Sequence, residues 1–119
     1  MLKFKRLLKS FKYAIKGLFI VLKDEQNFRV HVFFATLALF FSWYWQINEM
    51  ELIVVVLLIS LVMLMEIVNS AIERVTDVLK PRINDFVMEI KDIMAAAVML
   101  SSVVAVIVGL IIFVPYLLK

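Results

Sequence analysis

The sequence predicts an all-α integral membrane protein, in which three transmembrane helices follow an amphipathic helix on the membrane surface. Of the 119 residues, 65% are hydrophobic, and the mean hydropathy is +1.03. A soluble domain of this length could not bury so much apolar surface. The longest uncharged run extends from Ile93 to Leu118, and roughly 20 apolar residues are enough to cross about 30 Å of hydrocarbon.

The composition excludes several classes of site and leaves one domain, 1–119. The chain has no cysteine, so it has no disulfide, thiolate metal site or thiol nucleophile. Gly17 and Gly109 are the only glycines, too few for a phosphate-binding loop of the Walker or protein-kinase type. Lysines interrupt the first apolar residues, which is not typical of a cleavable signal peptide.

The first segment, 2–23, has apolar residues at helical spacing and basic residues on another face, including Lys5, Lys9, Lys12 and Lys16. A basic amphipathic helix of this kind lies in the membrane interface, where cations meet anionic headgroups. An ordinary helix packed against a partner is the alternative.

Three further segments are predicted to span the membrane, at 30–47, 52–80 and 93–118. The first ends in the aromatic residues Trp43, Tyr44 and Trp45, which are typical of a membrane interface. Basic residues precede the first span and recur at Lys80, Arg82 and Lys91, whereas the 48–51 connection has none. The positive-inside rule therefore predicts a cytoplasmic N-terminus and an external C-terminus.

Polar side chains share one face at the end of the second span. At 100° per residue, Glu73 lies about 20° from Glu66 around the helix, and Asp77 lies about 20° to the other side. Asn69 and Ser70 lie within about 60° of Glu66. A carboxylate at the depth of Glu66 loses several kcal/mol of hydration unless it is paired or protonated, so it is a candidate functional group.

Carboxylates beside a lysine suit Mg²⁺ and the phosphates of ATP, because Mg²⁺ takes one or two carboxylates and completes its shell with phosphate oxygens and water. Glu66 suits a general base for an alcohol, and Lys91 a point charge for phosphates. The structural alternatives are an interhelical hydrogen bond or a buried pair of Glu66 with Lys91 or Arg29, and a surface position for Asp77.

Glu25 and Arg29, spaced i,i+4 where the surface helix meets the first span, are a second candidate pair. The sequence alone favours a helix-end salt bridge between them. His31 is a lone histidine at the start of a span.

Three blocks of the sequence form a recognisable pattern: the run from Glu66 to Asp77, Lys91-Asp92 with three alanines shortly after it, and Glu25 to Arg29 after Lys16-Gly17. With these blocks the sequence resembles the prokaryotic diacylglycerol kinases, a family that includes undecaprenol kinases. It implies a homotrimeric bundle in the bacterial inner membrane, with active sites between neighbouring chains. The implied reaction is MgATP-dependent phosphorylation of a lipid hydroxyl, with no nucleic-acid partner.

The resemblance also implies roles for individual residues. Glu66 would be the catalytic base, and Glu25 and Glu73 would hold the metal. The nucleotide site would comprise these two carboxylates together with Lys9, Lys16, Asn69, Asp77, Lys91 and Asp92. Two departures from the family pattern are Asn84, where a histidine is usual, and Met94, where a smaller residue is usual.

The expected substrate is undecaprenol in preference to diacylglycerol, because the 27–31 and 109–115 segments look more like the Gram-positive branch of the family. Two non-enzymatic alternatives compete with a kinase. A proton or ion conductor would need carboxylates deeper in the membrane than these, and a purely structural subunit would leave the aligned polar face unexplained.

Overall fold

The structure is a computed structural model that describes residues 3–79 and 84–119. Within those ranges the chain forms four helices, α1 (Phe4–Asp24), α2 (Gln26–Tyr44), α3 (Glu49–Leu79) and α4 (Asn84–Leu117). The all-α prediction is confirmed. Some residues used in the predictions above lie outside the described part of the chain, namely Leu2, Lys80, Arg82 and the side chain of Asn84.

The amphipathic helix α1 is exposed along almost its whole length, and only Val21 is buried within it. Its apolar side chains, such as Phe4, Leu8 and Phe11, are exposed together with its lysines. The helix contacts α2 and α3. An apolar face with so little protein against it is what an interfacial helix presents to the bilayer.

A single residue separates α1 from α2. Glu25 has an extended backbone, with φ −106° and ψ 110°. The last carbonyl groups of a helix have no partner within it, and here the Arg29 guanidinium donates to the carbonyl oxygens of Leu22 at 2.9 Å and Lys23 at 2.6 Å. The predicted Glu25–Arg29 salt bridge is therefore wrong, because Arg29 turns back to cap α1.

The opposite end of the bundle, here called the Trp45 end, joins α2 to α3. The Asn48 side chain accepts a hydrogen bond from the Glu51 backbone at 2.8 Å, and the Glu51 carboxylate accepts one from the Asn48 backbone at 3.3 Å. This reciprocal capping starts α3. The Tyr116 hydroxyl donates to Glu51, and the Trp45 ring stacks on the Tyr116 ring. These contacts tie α2, α3 and α4 together.

Two of the described helices are long and apolar enough to cross a membrane, α3 and the part of α4 from Asp85 to Leu117. With 31 residues, α3 is about 46 Å long at 1.5 Å per residue. That exceeds the roughly 30 Å of hydrocarbon, so a tilted α3 still extends beyond it. The third candidate helix, α2, has 19 residues and begins with polar side chains, including Gln26, Asn27 and Arg29.

The most extensive helix packing is between α3 and α4, followed by α2 on α3. The buried apolar core is small, and large apolar side chains on every helix are exposed. A groove of about 370 Å³ runs between α2, α3 and α4. Its walls are almost entirely apolar, and it extends from His31 at one end to Phe113 towards the Trp45 end.

Candidate active site

The polar face of α3 lies at the end of the bundle where α1 meets α2, here called the Glu25 end. Two of its side chains are fully buried: Glu66 is 3% exposed and Ser70 is 1% exposed. Asn69 and Glu73 are half-buried, and Asp77 is exposed. The helix thus carries its carboxylates from a buried position at Glu66 to an exposed one at Asp77.

Glu66 lies against His31, which was not predicted as its partner. The Nε2 atom of His31 lies 3.1 Å from Glu66 Oε1, which is ion-pair distance. The two groups make an ion-pair contact without hydrogen-bond geometry, so this buried oxygen accepts no hydrogen bond from the described residues. The alternative of a buried pair with Lys91 or Arg29 is not formed, because Lys91 pairs with Asp77 and Arg29 donates to backbone carbonyls of α1. A buried carboxylate oxygen without a donor is costly, and it is suitably placed to accept a proton from a bound group.

Glu25 is held by α3. The Ser70 hydroxyl donates to Glu25 Oε1 at 3.0 Å, and the Arg74 guanidinium lies 3.6 Å from the same oxygen. Arg74 also donates to Ser70 and pairs with Asp24 at 3.0 Å. Two acidic residues of the α1–α2 joint are thereby fixed against two residues of α3.

Glu73 accepts a hydrogen bond from the Asn69 amide one turn earlier, at 3.2 Å. The two carboxylates predicted to hold metal, Glu25 and Glu73, therefore each have a polar partner on α3. Among the described residues, no group of three or more acidic or histidine side chains is arranged to hold a metal ion. Two carboxylates are nevertheless what Mg²⁺ usually takes from a protein when phosphate oxygens complete its shell.

The remaining predicted nucleotide-binding residues divide into two groups. Lys91 on α4 donates to Asp77 on α3 at 3.0 Å, so these two predicted residues are brought together. Lys9, Lys16 and Asp92 are exposed. In the described part of the chain these three make no hydrogen bond or ion pair with the other candidate residues. Met94, the departure from the family pattern, is half-buried on α4.

Comparison with known proteins identifies the chain. Residues 12–113 match the model of the prokaryotic diacylglycerol kinase family. The chain belongs to this family. Every predicted site residue except Lys9 lies within the match. As a member of this family, the chain is a membrane lipid kinase, which is a transferase of lipid metabolism. The two non-enzymatic alternatives, a proton or ion conductor and a structural subunit, are set aside.

Curated relatives of this diacylglycerol kinase homologue carry two different names. The undecaprenol kinase of Bacillus subtilis is 31% identical over 94% of this chain and 91% of its own length. The diacylglycerol kinase of Escherichia coli K12 is 32% identical over 87% of this chain and 85% of its own length. The diacylglycerol kinase of Synechocystis is 33% identical over 95% of this chain and 65% of its own length.

Three residues of the site were missed or undervalued from sequence: His31, Ser70 and Arg74. A signal for His31 existed, because it is the one basic side chain in the predicted span 30–47. A buried carboxylate near the end of one span has its natural partner at the same end of an antiparallel neighbour. Ser70 and Arg74 carried no such signal, since only the packing of α3 against the α1–α2 joint gives them a common partner.

Proposed function

We propose that this chain is an MgATP-dependent kinase that phosphorylates the hydroxyl group of a membrane lipid, with a polyprenol such as undecaprenol preferred over diacylglycerol. The observation that carries the proposal is the position of Glu66. Its buried carboxylate lies against His31, and His31 lines the end of the apolar groove. A lipid whose chain occupies the groove would present its hydroxyl beside this carboxylate.

Glu66 is the proposed catalytic base. A general base must reach the proton that it removes, and it accelerates proton transfer by typically 10²–10⁴-fold. The oxygen Oε1 has no hydrogen-bond donor among the described residues, so the lipid hydroxyl can fill that role. Removal of the hydroxyl proton by Glu66 makes the lipid oxygen a better nucleophile for the γ-phosphorus of ATP.

The nucleotide site is proposed to lie on the polar face below Glu66. Glu25 and Glu73 would hold the metal, and Ser70 and Asn69 orient these two carboxylates in the structure. Mg²⁺ held by these carboxylates would supply the positive charge that neutralises the phosphates. The other proposed nucleotide-binding residues are Lys9, Lys16, Asn69, Asp77, Lys91 and Asp92. Of these, Asp77 and Lys91 already form an ion pair, between the last turns of α3 and the first turns of α4.

The proposed assembly is a homotrimer in the bacterial inner membrane, with α2 as the third span and with sites completed by neighbouring chains. The small core and the exposed apolar side chains of α3, such as Leu57, Leu61 and Leu64, support burial against lipid or further helices. The basic residues of α1 support a cytoplasmic N-terminus, with Glu49 and the C-terminus on the external side.

The groove supports a long, flexible chain as the apolar part of the substrate. Phe33, Phe34, Phe40 and Phe41 are all exposed, as a lipid-facing position requires, and Phe34 also lines the groove. The preference for a polyprenol rests on the 27–31 and 109–115 segments and on these aromatic side chains, which suit an isoprenoid chain. The hydroxyl chemistry itself is the same for both lipids.

The test is transfer of phosphate from labelled ATP to undecaprenol and to diacylglycerol in the same mixed micelles, compared as kcat/KM. We expect undecaprenol to have the higher value. A tenfold advantage for diacylglycerol, about 1.4 kcal/mol in transition-state binding, would reject the substrate preference and leave the kinase intact.

A pair of matched variants locates the chain-binding surface in that assay. Phe33 and Phe34 are equally exposed, at 60% each, but Phe34 alone of the two lines the groove. Phe34→Ala should change the ratio of the two kcat/KM values, whereas Phe33→Ala should leave it near that of the wild type. Equal effects of the two substitutions would argue against the groove.

A further inference from the structure

If Glu66 is the base proposed above, every turnover leaves a proton on a carboxylate that must be lost before the next one. The Glu66 side chain is only 4% exposed, so water has little direct access to it. The proton therefore needs a group that both touches Glu66 and reaches water. This requirement rests on the proposed function, and the contacts of Glu66 in the structure identify the group.

His31 meets both conditions. Its Nε2 atom is 3.1 Å from Glu66 Oε1, and its side chain is 26% exposed in the first part of α2, the helix that begins with the polar residues Gln26, Asn27 and Arg29. It is the only histidine in the chain. An imidazole can take up a proton at one nitrogen and release one from the other. A separation of 3.1 Å is short enough for transfer once the ring turns into line, as such contacts often do when substrate binds.

The other charged groups that act on Glu66 are less suited to this role. Glu25 and Glu73 influence it electrostatically, but each is engaged elsewhere, Glu25 by Ser70 and Glu73 by Asn69. Both are also the carboxylates proposed to hold metal. His31 is the ionisable group in direct contact with Glu66 among the described residues.

We propose that His31 is a positioning residue that holds the Glu66 carboxylate in place and passes its proton to water. In the transfer step the lipid O–H bond breaks and the proton goes to Glu66. The lipid oxygen forms a bond to the γ-phosphorus, and the bond between that phosphorus and the bridging oxygen of ATP breaks, with the electron pair leaving on ADP. The Glu66–His31 pair gains one proton from the lipid and gives one to water, so its proton count is restored.

His31 also lies at the junction between the two parts of the bound substrate. It lines the groove and contacts the base, so the apolar chain of the lipid would end, and its hydroxyl would begin, beside the imidazole.

The experiment compares His31→Ala and His31→Gln with the wild type at saturating lipid and MgATP. For His31→Ala we expect kcat to fall by about 10- to 100-fold, the loss typical of residues that orient another functional group, with little change in KM for ATP. Added imidazole should restore much of this kcat. Glutamine can orient Glu66 by a hydrogen bond but cannot carry a proton, so His31→Gln should remain slow.

The matched control is Thr36→Ala, which removes a polar group from the same helix. The Thr36 hydroxyl donates to the Val32 carbonyl of its own helix at 2.8 Å, and the substitution should leave kcat unchanged with or without imidazole. Each variant is compared with the wild type for helix content and elution volume, so that a misfolded protein is recognised.

Three outcomes overturn the relay: normal kcat in His31→Ala, normal kcat in His31→Gln, or a slow, folded His31→Ala that imidazole does not restore. Failure of the proposed base is a separate result, because a folded Glu66→Gln variant would then keep its activity. If both proposals hold, adding His31→Ala to Glu66→Gln should cause little further loss, since the two residues act as one unit.

Discussion

Polar side chains find partners in different ways at the Glu25 end and in the rest of α2 and α4. Away from the Glu25 end, the hydroxyl groups of Ser42, Ser101 and Thr36 donate to carbonyl oxygens of their own helices, those of Ala38, Val98 and Val32. At the Glu25 end, Glu66 contacts His31 and the Ser70 hydroxyl donates to Glu25, both across helices, while Asn69 and Glu73 bond within α3. A same-helix bond hides a hydroxyl from lipid, whereas a cross-helix bond also sets the position of one helix against another.

Among the buried serines, the difference separates Ser42 and Ser101, which bond within their own helices, from Ser70, which holds Glu25 of another segment. Ser42, Ser70 and Ser101 are all buried, at 5%, 1% and 6% exposure, so burial alone does not distinguish them. Their partners do. If this division by partner also holds for activity, substitutions of residues with partners on another helix should reduce activity more than substitutions of residues with partners in their own helix.

The largest effect is expected for Glu66→Gln, which removes the proposed base and keeps the size of the side chain. Turnover should fall by about 10²–10⁴-fold or more, with the assembly intact. Glu73→Gln, on the same face of α3, should mainly weaken the use of Mg²⁺ and nucleotide, seen as a higher Mg²⁺ requirement. Half of normal turnover in a folded Glu66→Gln variant would refute the base.

An intermediate effect is expected for Ser70→Ala. The substitution removes the donor to Glu25 and an acceptor for Arg74. Both partners are partly exposed, so water can replace the lost contacts and the loss of stability should be about 1 kcal/mol, the net value of a typical hydrogen bond. Because Glu25 loses the group that orients it, the Mg²⁺ concentration for half-maximal activity should rise by about tenfold. Thermal unfolding measures the effect on stability, and titration of the activity with Mg²⁺ measures the effect on the site. An unchanged Mg²⁺ requirement would show that Ser70 is not part of the site.

The smallest effect is expected for Ser101→Ala, the counterpart of Ser70→Ala on α4. Its hydroxyl donates to the carbonyl of Val98 in its own helix, so the substitution removes one local hydrogen bond and leaves the contacts between helices in place. Activity should stay within about twofold of the wild type, and stability should change by less than about 1 kcal/mol. A loss of activity as large as that of Ser70→Ala would show that the division by partner is wrong.

The sequence predicts the helices and the polar face of α3 well, and the contacts between helices poorly. Helical periodicity places Glu66, Asn69, Glu73 and Asp77 together because residues three and four apart share a face. Contacts such as Glu66–His31 depend on the height and rotation of one helix against another, which periodicity within a helix does not determine. The Glu25–Arg29 prediction was wrong for a local reason: i,i+4 pairing needs a continuous helix, and the helix breaks at Glu25.

The one-residue joint at Glu25 makes this part of the chain intolerant of changes in length. Asp24 and Glu25 bind Arg74 and Ser70 just before the break, and His31 reaches Glu66 just after it. One residue inserted between Glu25 and His31 would turn the rest of α2 by about 100° and shift it by about 1.5 Å relative to the joint. Only one of the two sets of contacts could then survive, so a change in length at the joint would separate the parts of the site even if every side chain were kept.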